Sequence, residues 1–389
     1  MSSVPDQHLV DRAEGARELP SGLRLASAGL RGELNPPVSR GGSALLRLRT
    51  GSGEHRRTSR ALATPSTRDR QTVAAGSALI VRLPNWVGNV VQSIPTLEML
   101  QQAGYELHLV GKPWARALLA GYEWPVYARA AGTAGAIAQL WRLRRQLCAA
   151  DFAFGRRINV ALLTGSHRSA MEARFAGLRV LGYARDMRSH WLSRTVPFER
   201  GLAPIEEYWR IGAAVLENGS SQHPGRILLK LPTSALEAAR ALRARECIGA
   251  NYVMLCPFSG NGQDRDKKRW PEFPRLASAL RAQGIPVVLC PGPDEEEEAT
   301  ANYPGATICV STSLEVYAAL LKEAWFTVSN DTGPGHIAAA SGGTLFSVFG
   351  PHFAACWVPL GPRVTIIHGS AHWPSLQEVI VRLPAQRPS

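Results

Sequence analysis

The stretch Trp325-Phe326-Thr327-Val328-Ser329-Asn330-Asp331-Thr332-Gly333-Pro334-Gly335-His336-Ile337-Ala338-Ala339-Ala340 changes character twice. Its first residues are aromatic or β-branched and read as the end of a buried strand, and its last four read as the first turns of a helix. Between them lies a tight polar turn. Asn330, Asp331 and Thr332 are N-cap types, Gly333 and Gly335 let the backbone approach a ligand closely, and Pro334 suits a first helical position. A strand feeding such a turn and then a helix N-terminus is suited to hold an anion, because free N–H groups and the helix dipole both favour phosphate. An ordinary strand–turn–helix corner has the same sequence character, so the loop is decided by its context.

That context is an alternation of strands and helices running both ways from the loop. Upstream, strands are expected at 78–82, 106–110, 126–127, 160–164 and 179–183, with helices running to about 102 and at 113–120, 134–148 and 167–175. A cluster of Asn, Gly, Ser, Gln, His and Pro at 217–225 reads as a linker. The alternation restarts with strands at 227–231, 252–256, 287–290, 307–310, 325–329, 344–349 and 364–368, and helices at 233–245, 273–283, 314–322 and 334–340. The fold class is therefore α/β, with two doubly wound, mostly parallel sheets. The expected domains are 77–220 and 221–389, with ligands held in the cleft at the carboxyl ends of the strands.

Residues 1–76 differ from the rest. They hold twelve arginines, no lysine and seven acidic residues among many Ser, Gly, Pro and Ala, and are expected to be a disordered basic extension. No apolar h-region marks a secretory signal, and no interleaved aromatics mark a nucleic-acid arm. The whole chain of 389 residues carries a formal charge of +13 and is 45% hydrophobic. Such a balance favours anionic partners over neutral ones, and the absence of any run of about 18 apolar residues argues against a membrane-spanning helix. Cys148, Cys247, Cys256, Cys290, Cys309 and Cys356 form no C-x-x-C pair and are expected to be reduced, buried thiols, with no zinc site.

Three further segments fall at strand ends. Leu83-Pro84-Asn85-Trp86-Val87-Gly88-Asn89 carries a glycine ahead of a helix, with Asn89 either capping that helix or contacting substrate. Pro257-Phe258-Ser259 through Lys267-Lys268-Arg269-Trp270-Pro271 joins glycines to the cations Arg265, Lys267, Lys268 and Arg269, a composition that suits a diphosphate. The run Asp294-Glu295-Glu296-Glu297-Glu298 either complements a helix dipole or offers a carboxylate, Glu297 being the candidate, to ribose hydroxyls.

Taken together, residues 78–382 resemble glycosyltransferase family 9, the ADP-heptose:lipopolysaccharide heptosyltransferases, and look closest to the heptosyltransferase II branch. The resemblance rests on Val81-Arg82-Leu83-Pro84-Asn85-Trp86-Val87-Gly88, on 162–170 with Ser166 and Arg168, on Lys268-Arg269-Trp270-Pro271, and on Asp331-Thr332-Gly333 with His336 and Ala338-Ala339-Ala340. It implies a GT-B fold: an acceptor-side Rossmann-like domain followed by a nucleotide-sugar-binding one. It also implies an inverting, metal-independent transfer of heptose from ADP-heptose to a lipopolysaccharide inner-core acceptor, without a cofactor. The setting so implied is the cytoplasmic face of the inner membrane, with peripheral membrane contact and no specific nucleic acid. By the same resemblance Lys268, Thr332, Gly333 and His336 face the donor, Asp331 contacts the donor sugar, and Trp86 and Arg168 face the acceptor; Ser259, in the loop whose composition suits a diphosphate, is a further donor-side candidate. The family has Gly-Asp where this chain has Gly88-Asn89, and that aspartate is the expected general base. An amide orients a hydroxyl but does not take its proton, which leaves Asp331 or solvent as the acceptor of that proton, or makes the chain a nucleotide-sugar or glycan-binding protein.

Overall fold

The computed structural model describes residues 76–217, 222–259, 266–351, 355–369 and 371–385. All of the expected basic extension but its last residue, the loop residues 260–265 and part of the expected linker lie outside the described residues. Six parallel strands, β1 (Ser77–Arg82), β2 (Tyr105–Gly111), β3 (Val126–Ala128), β4 (Val160–Leu162), β5 (Val180–Ala184) and β6 (Arg194–Pro197), form a sheet ordered β3-β2-β1-β4-β5-β6. A second parallel sheet contains β7 (Val253–Cys256), β8 (Val287–Leu289), β9 (Thr307–Ile308), β10 (Phe326–Asn330), β11 (Leu345–Phe349) and β12 (Val364–His368), ordered β12-β11-β10-β7-β8-β9. Counted from the first strand of each half, both orders are 3-2-1-4-5-6, the doubly wound arrangement expected from the alternation.

Each half connects its strands through helices: α1 (Val87–Gln102), α2 (Ala115–Leu118), α3 (Thr133–Ala150), α4 (His167–Phe175) and α5 (Pro204–Leu216) in the first, then α6 (Thr233–Arg245), α7 (Phe273–Ala282), α8 (Glu296–Asn302), α9 (Leu314–Glu323), α10 (Gly333–Ala340) and α11 (Leu376–Ile380). The period-2 alternation of β1 assigns the faces of the first sheet. Ala78 and Ile80 pack with Leu140, Leu143 and Leu147 of α3 and Ala170 and Ala173 of α4. Leu79 and Val81 point the other way, toward Val90, Ile94 and Leu97 of α1 and Ile205 and Ile211 of α5. The same apolar cluster continues into the second half through Ala318 and Leu321 of α9 and Ile337 and Ala339 of α10. Helix α1, sandwiched between its own sheet, α5 and α10, is accordingly buried almost all round.

Most expected elements are present. The expected strand at 227–231 is not: Ile227 and Leu229 are buried and their neighbours exposed, but this segment pairs with no sheet. It threads between the halves instead. The Leu229 N–H donates to the Ala340 carbonyl (2.7 Å), while the Tyr122 hydroxyl donates to the Leu228 carbonyl (3.1 Å) and accepts from the Lys230 N–H (3.3 Å). Alternate burial thus arose from two flanking surfaces rather than from a ladder. All six cysteines are free, but only Cys256 and Cys309 are buried; Cys247 is exposed at a turn with φ +53°, so the expectation of uniformly buried thiols is corrected.

Candidate functional site

The order of each sheet reverses between its first and fourth strands, β1 and β4 in one half and β7 and β10 in the other. The four sequence motifs are the loops that leave the carboxyl ends of these four strands, where a ligand crevice opens in such sheets. Between the halves a cleft of about 930 Å³ has one wall, from the first half, carrying Arg82, Lys112, Arg129 and Arg168 and another, from the second, formed by Gly292, Pro293, Asp294 and Glu295. Asn85, Trp86, Val87, Trp114, Ser166 and Ser169 also line it. The two expected acceptor-side residues, Trp86 and Arg168, therefore share one cavity, with Trp86 66% exposed to it and to solvent.

The floor of this cleft is built from buried charge. Arg82 donates to the carbonyls of Leu83 (2.7 Å) and Val110 (3.2 Å) and to the Asn85 side-chain oxygen (3.0 Å). Burial, reinforced by the neighbouring Arg129 and opposed by Glu172, holds its guanidinium down at about 10, below the ordinary arginine value. Arg129 forks onto the buried Glu172, with Nε 3.3 Å from Oε2 and Nη2 paired to Oε1. Two arginines against one carboxylate, Glu172, leave the floor positive. Lys112 and Arg168, both exposed, have no ion pair among the described residues and add to that field.

Asn89 does not cap α1. The N-cap is Trp86, which offers no side-chain bond, so Asn89 is the third helical residue. Its Nδ2 donates to the Tyr208 hydroxyl at 2.8 Å, across to α5. Gly88 does permit a close approach, but to the other half of the chain: a Cβ there would lie 2.6 Å from His336 Cδ2. Likewise a Cβ on Gly333 would lie 3.0 Å from Val87 Cβ. The two glycines let the N-termini of α1 and α10 meet, and Val87 separates the cleft from the β10–α10 corner.

In the second half the motif loops are tied to one another. Asn330 is fully buried, and its side chain is not a cap: Oδ1 accepts from the Trp270 N–H (2.9 Å) and Nδ2 donates to the Pro257 carbonyl (2.6 Å). One amide at the end of β10 thus holds both ends of the β7–α7 loop. Lys268 Nζ lies 3.1 Å from Asp331 Oδ2, bringing together two expected donor-side residues. Arg269 binds Glu298 (2.6 Å) and donates to the Ser259 hydroxyl (3.3 Å), so Ser259 is positioned by the same basic segment. Thr332 is the N-cap of α10 but makes no side-chain capping bond, and its Oγ1 is buried without a partner among the described residues. His336, two residues after Pro334, is buried, its Nδ1 likewise without a partner among the described residues. Loss of solvent holds its pKa down at about 4, with Lys268 acting the same way and Asp331 opposing, so the ring is neutral.

Glu297 stands exposed on α8 and does not line the cleft; Glu295 does, with Oε2 accepting from the Gly292 N–H at 3.0 Å. Tyr208 and Arg129 carried no local motif that marked them, since each reaches the site from an element distant in sequence, whereas Glu172 lies one turn beyond Arg168 on α4. Among the described residues no three His, Cys, Asp or Glu side chains gather as a metal centre would require.

The sequence profile of Glycosyltransferase family 9 (heptosyltransferase) matches residues 140–381. A curated lipopolysaccharide heptosyltransferase 3 of Escherichia coli is 30% identical over 122 residues, which are 29% of this chain and 35% of that protein. The match therefore spans about a third of that relative's length. Among solved structures, a glycosyl transferase family 9 protein from Veillonella parvula superposes with a TM-score of 0.64 at 15% identity, covering 76% of this chain and 86% of that one. ADP-heptose lps heptosyltransferase II of E. coli gives 0.60 at 20% identity over 80% and 96%. An E. coli heptosyltransferase solved with ADP gives 0.56 at 22% over 79% and 96%. These structural likenesses establish the two-domain GT-B architecture, and they do not single out the heptosyltransferase II branch.

Proposed function

The chain belongs to glycosyltransferase family 9, the heptosyltransferases, and from that premise we propose that it moves a heptose from ADP-heptose to an anionic lipid-linked saccharide of the lipopolysaccharide inner core, with inversion. The observation that carries this reading is the pairing of a positively floored cleft in the first half with a Lys268–Asp331 loop at the matching switch point of the second. In the reaction an acceptor hydroxyl oxygen bonds to the anomeric carbon. The bond from that carbon to the diphosphate breaks, ADP leaves with the electron pair, and the hydroxyl proton passes to a base. Lys268, with the N–H groups at the start of α10, answers the charge developing on the diphosphate, and Thr332 Oγ1 is a free partner for one of its oxygens. Arg168 and Lys112 hold the acid groups of the acceptor, and Trp86 offers its ring to a sugar face. Asp331 is the carboxylate available as base, at the expense of its pairing with Lys268. Placing this chemistry at the cytoplasmic face of the inner membrane follows from the lipid-linked acceptor; among the described residues no helix is long and apolar enough to cross a membrane.

The amide at position 89, held to Tyr208, favours a second reading in which the donor site binds and no transfer follows. Incubating the full chain with ADP-heptose and inner-core acceptors, and following ADP release together with the mass of the acceptor, separates the two. Transfer is the expected outcome. Saturable ADP-heptose binding without any heptosylated product would leave the binding reading in its place.

A further inference from the structure

We infer that the outer face of α3 and α4 is a docking surface for an anionic lipid bilayer, and that it sets the cleft mouth at the membrane. Within residues 129–185 the only acidic side chains are Asp151, which pairs with Arg157, and Glu172, which is buried on Arg129. Ten arginines share that stretch. Arg145, Arg156, Arg168 and Arg174 are exposed and none is ion-paired among the described residues. Large apolar rings stand exposed between them: Trp141 at 44%, Phe152 at 79% and Phe175 at 60%. Two of these rings carry a guanidinium on their faces, Arg145 over Trp141 at 4.8 Å and Arg156 over Phe152 at 4.5 Å.

Helical spacing turns the groups on α3 and α4 outward, while Phe152 and Arg156 stand exposed in the turn that follows α3. On α3 the inward positions are Ala136, Leu140, Leu143 and Leu147, which leaves Trp141 and Arg145 outward. On α4 the outward stripe runs Arg168, Met171, Phe175, at spacings of three and four. Arg168 lines the cleft and Phe175 sits about 10 Å further along the helix, at 1.5 Å per residue, so cleft wall and exposed patch are one continuous face. Phe175 is braced by Trp191, ring centroids 5.3 Å apart, and Trp191 Nε1 donates to His167 Nε2 at 3.0 Å. Aromatic rings that prefer the headgroup level, interleaved with unpaired arginines, are the chemistry of an interfacial surface on anionic lipid, whereas carboxylates would repel such a surface. Single-stranded RNA shares the charge preference and stacks its bases on open ring faces, but Trp141 and Phe152 each have a face covered by their own guanidinium, which favours the bilayer over base stacking.

The inference deepens the proposal of a lipid-linked acceptor, and its test needs no turnover. Full-length protein is sedimented with phosphatidylcholine vesicles with or without added phosphatidylglycerol, at physiological ionic strength. Binding to the anionic vesicles alone is expected. Arg145→Gln/Arg156→Gln/Arg174→Gln lowers the partition coefficient about 10²-fold, each arginine contributing about a factor of five. Trp141→Ser/Phe152→Ser/Phe175→Ser weakens binding while leaving its salt dependence in place. Both triple variants change exposed side chains only, and unaltered ADP binding reports that they are folded. If the parent ignores anionic vesicles, or either triple variant binds them as the parent does, the surface is not the dock. Retention on single-stranded RNA stronger than on vesicles, and lost in the same variants, reassigns the face and overturns the proposal as well. Heptose transfer to a water-soluble core fragment is read separately, so failure of the transferase proposal leaves the vesicle result standing.

Discussion

The two halves of the molecule share a strand order and differ in what their switch-point loops do with charge. In the second half the charged groups are largely spent on each other: Lys268 on Asp331, Arg269 on Glu298, and the Asn330 amide on two backbone groups. In the first half Lys112 and Arg168 have no ion pair among the described residues, and they face an open cleft. A loop whose groups hold one another is positioned for one fixed ligand group, such as a diphosphate, and gives up only the Lys268–Asp331 pair when that group is engaged. A wall of unpaired cations tolerates a larger and more varied anion and gains affinity mainly by long-range attraction. The same fold thus supports a rigid site and an adaptable one side by side.

The comparison is most directly broken at Asn89. Asn89→Asp installs a carboxylate in the first turn of α1, where the helix dipole favours its charge, with the Tyr208 hydroxyl in place to hold it. Initial rates of ADP release are expected to rise about 10²–10⁴-fold, the range for a positioned general base. An unchanged rate would mean the proton already leaves by another route. Lys268→Ala tests the preorganised side: kcat is expected to fall about 10²–10³-fold, with the acceptor KM little changed. A selective effect on the acceptor KM would place Lys268 on the wrong wall.

His336 sharpens the contrast through pH. Its folded pKa of about 4 lies below the ordinary 6.5, so between those values the unfolded chain binds the extra proton and stability rises with pH. The contribution is complete above pH 6.5 and is lost as pH falls toward 4, on the order of 3 kcal/mol at most. Urea unfolding at about pH 7 and about pH 5 should show a shallower pH dependence in His336→Gln than in the parent; parallel curves would show that the imidazole is not held neutral. The smallest effect belongs to the adaptable wall. Arg168→Ala is expected to raise the acceptor KM about 10-fold at low salt and less at high salt, because a rim charge acts through a screened field. An effect insensitive to salt would point to a direct, dry contact instead.

The strand-helix alternation was readable because central strands of a parallel sheet are largely apolar runs, such as Val253–Cys256 and the Ala-Leu-Ile-Val core of Ser77–Arg82. The helices at His167–Phe175 and Thr233–Arg245 were legible from their periodicity. The segment 227–231 was misread because a chain wedged between two surfaces buries alternate residues just as an edge strand does. At the site, the loops were legible as loops, but not the partners that reach them. The bond from Asn89 to Tyr208 spans 119 positions, and nothing at either end announces it. Gly88 read as room for a ligand and proved to be room for His336, since a missing side chain records that something comes close without recording what.

The connecting segment has a mechanical consequence. It is sewn to the first half through Tyr122, and passes so close to Gly121 that a Cβ there would overlap the Lys230 carbonyl; it is sewn to the second half through Ala340. A tether fastened at both ends is a splice rather than a hinge. Cutting the backbone just upstream of Arg226 would sever the covalent path yet leave these fastenings and the shared apolar cluster whole. A chain split there should behave as two fragments that find each other and reassemble, with the short splice acting as the plug that seats one fragment in the other.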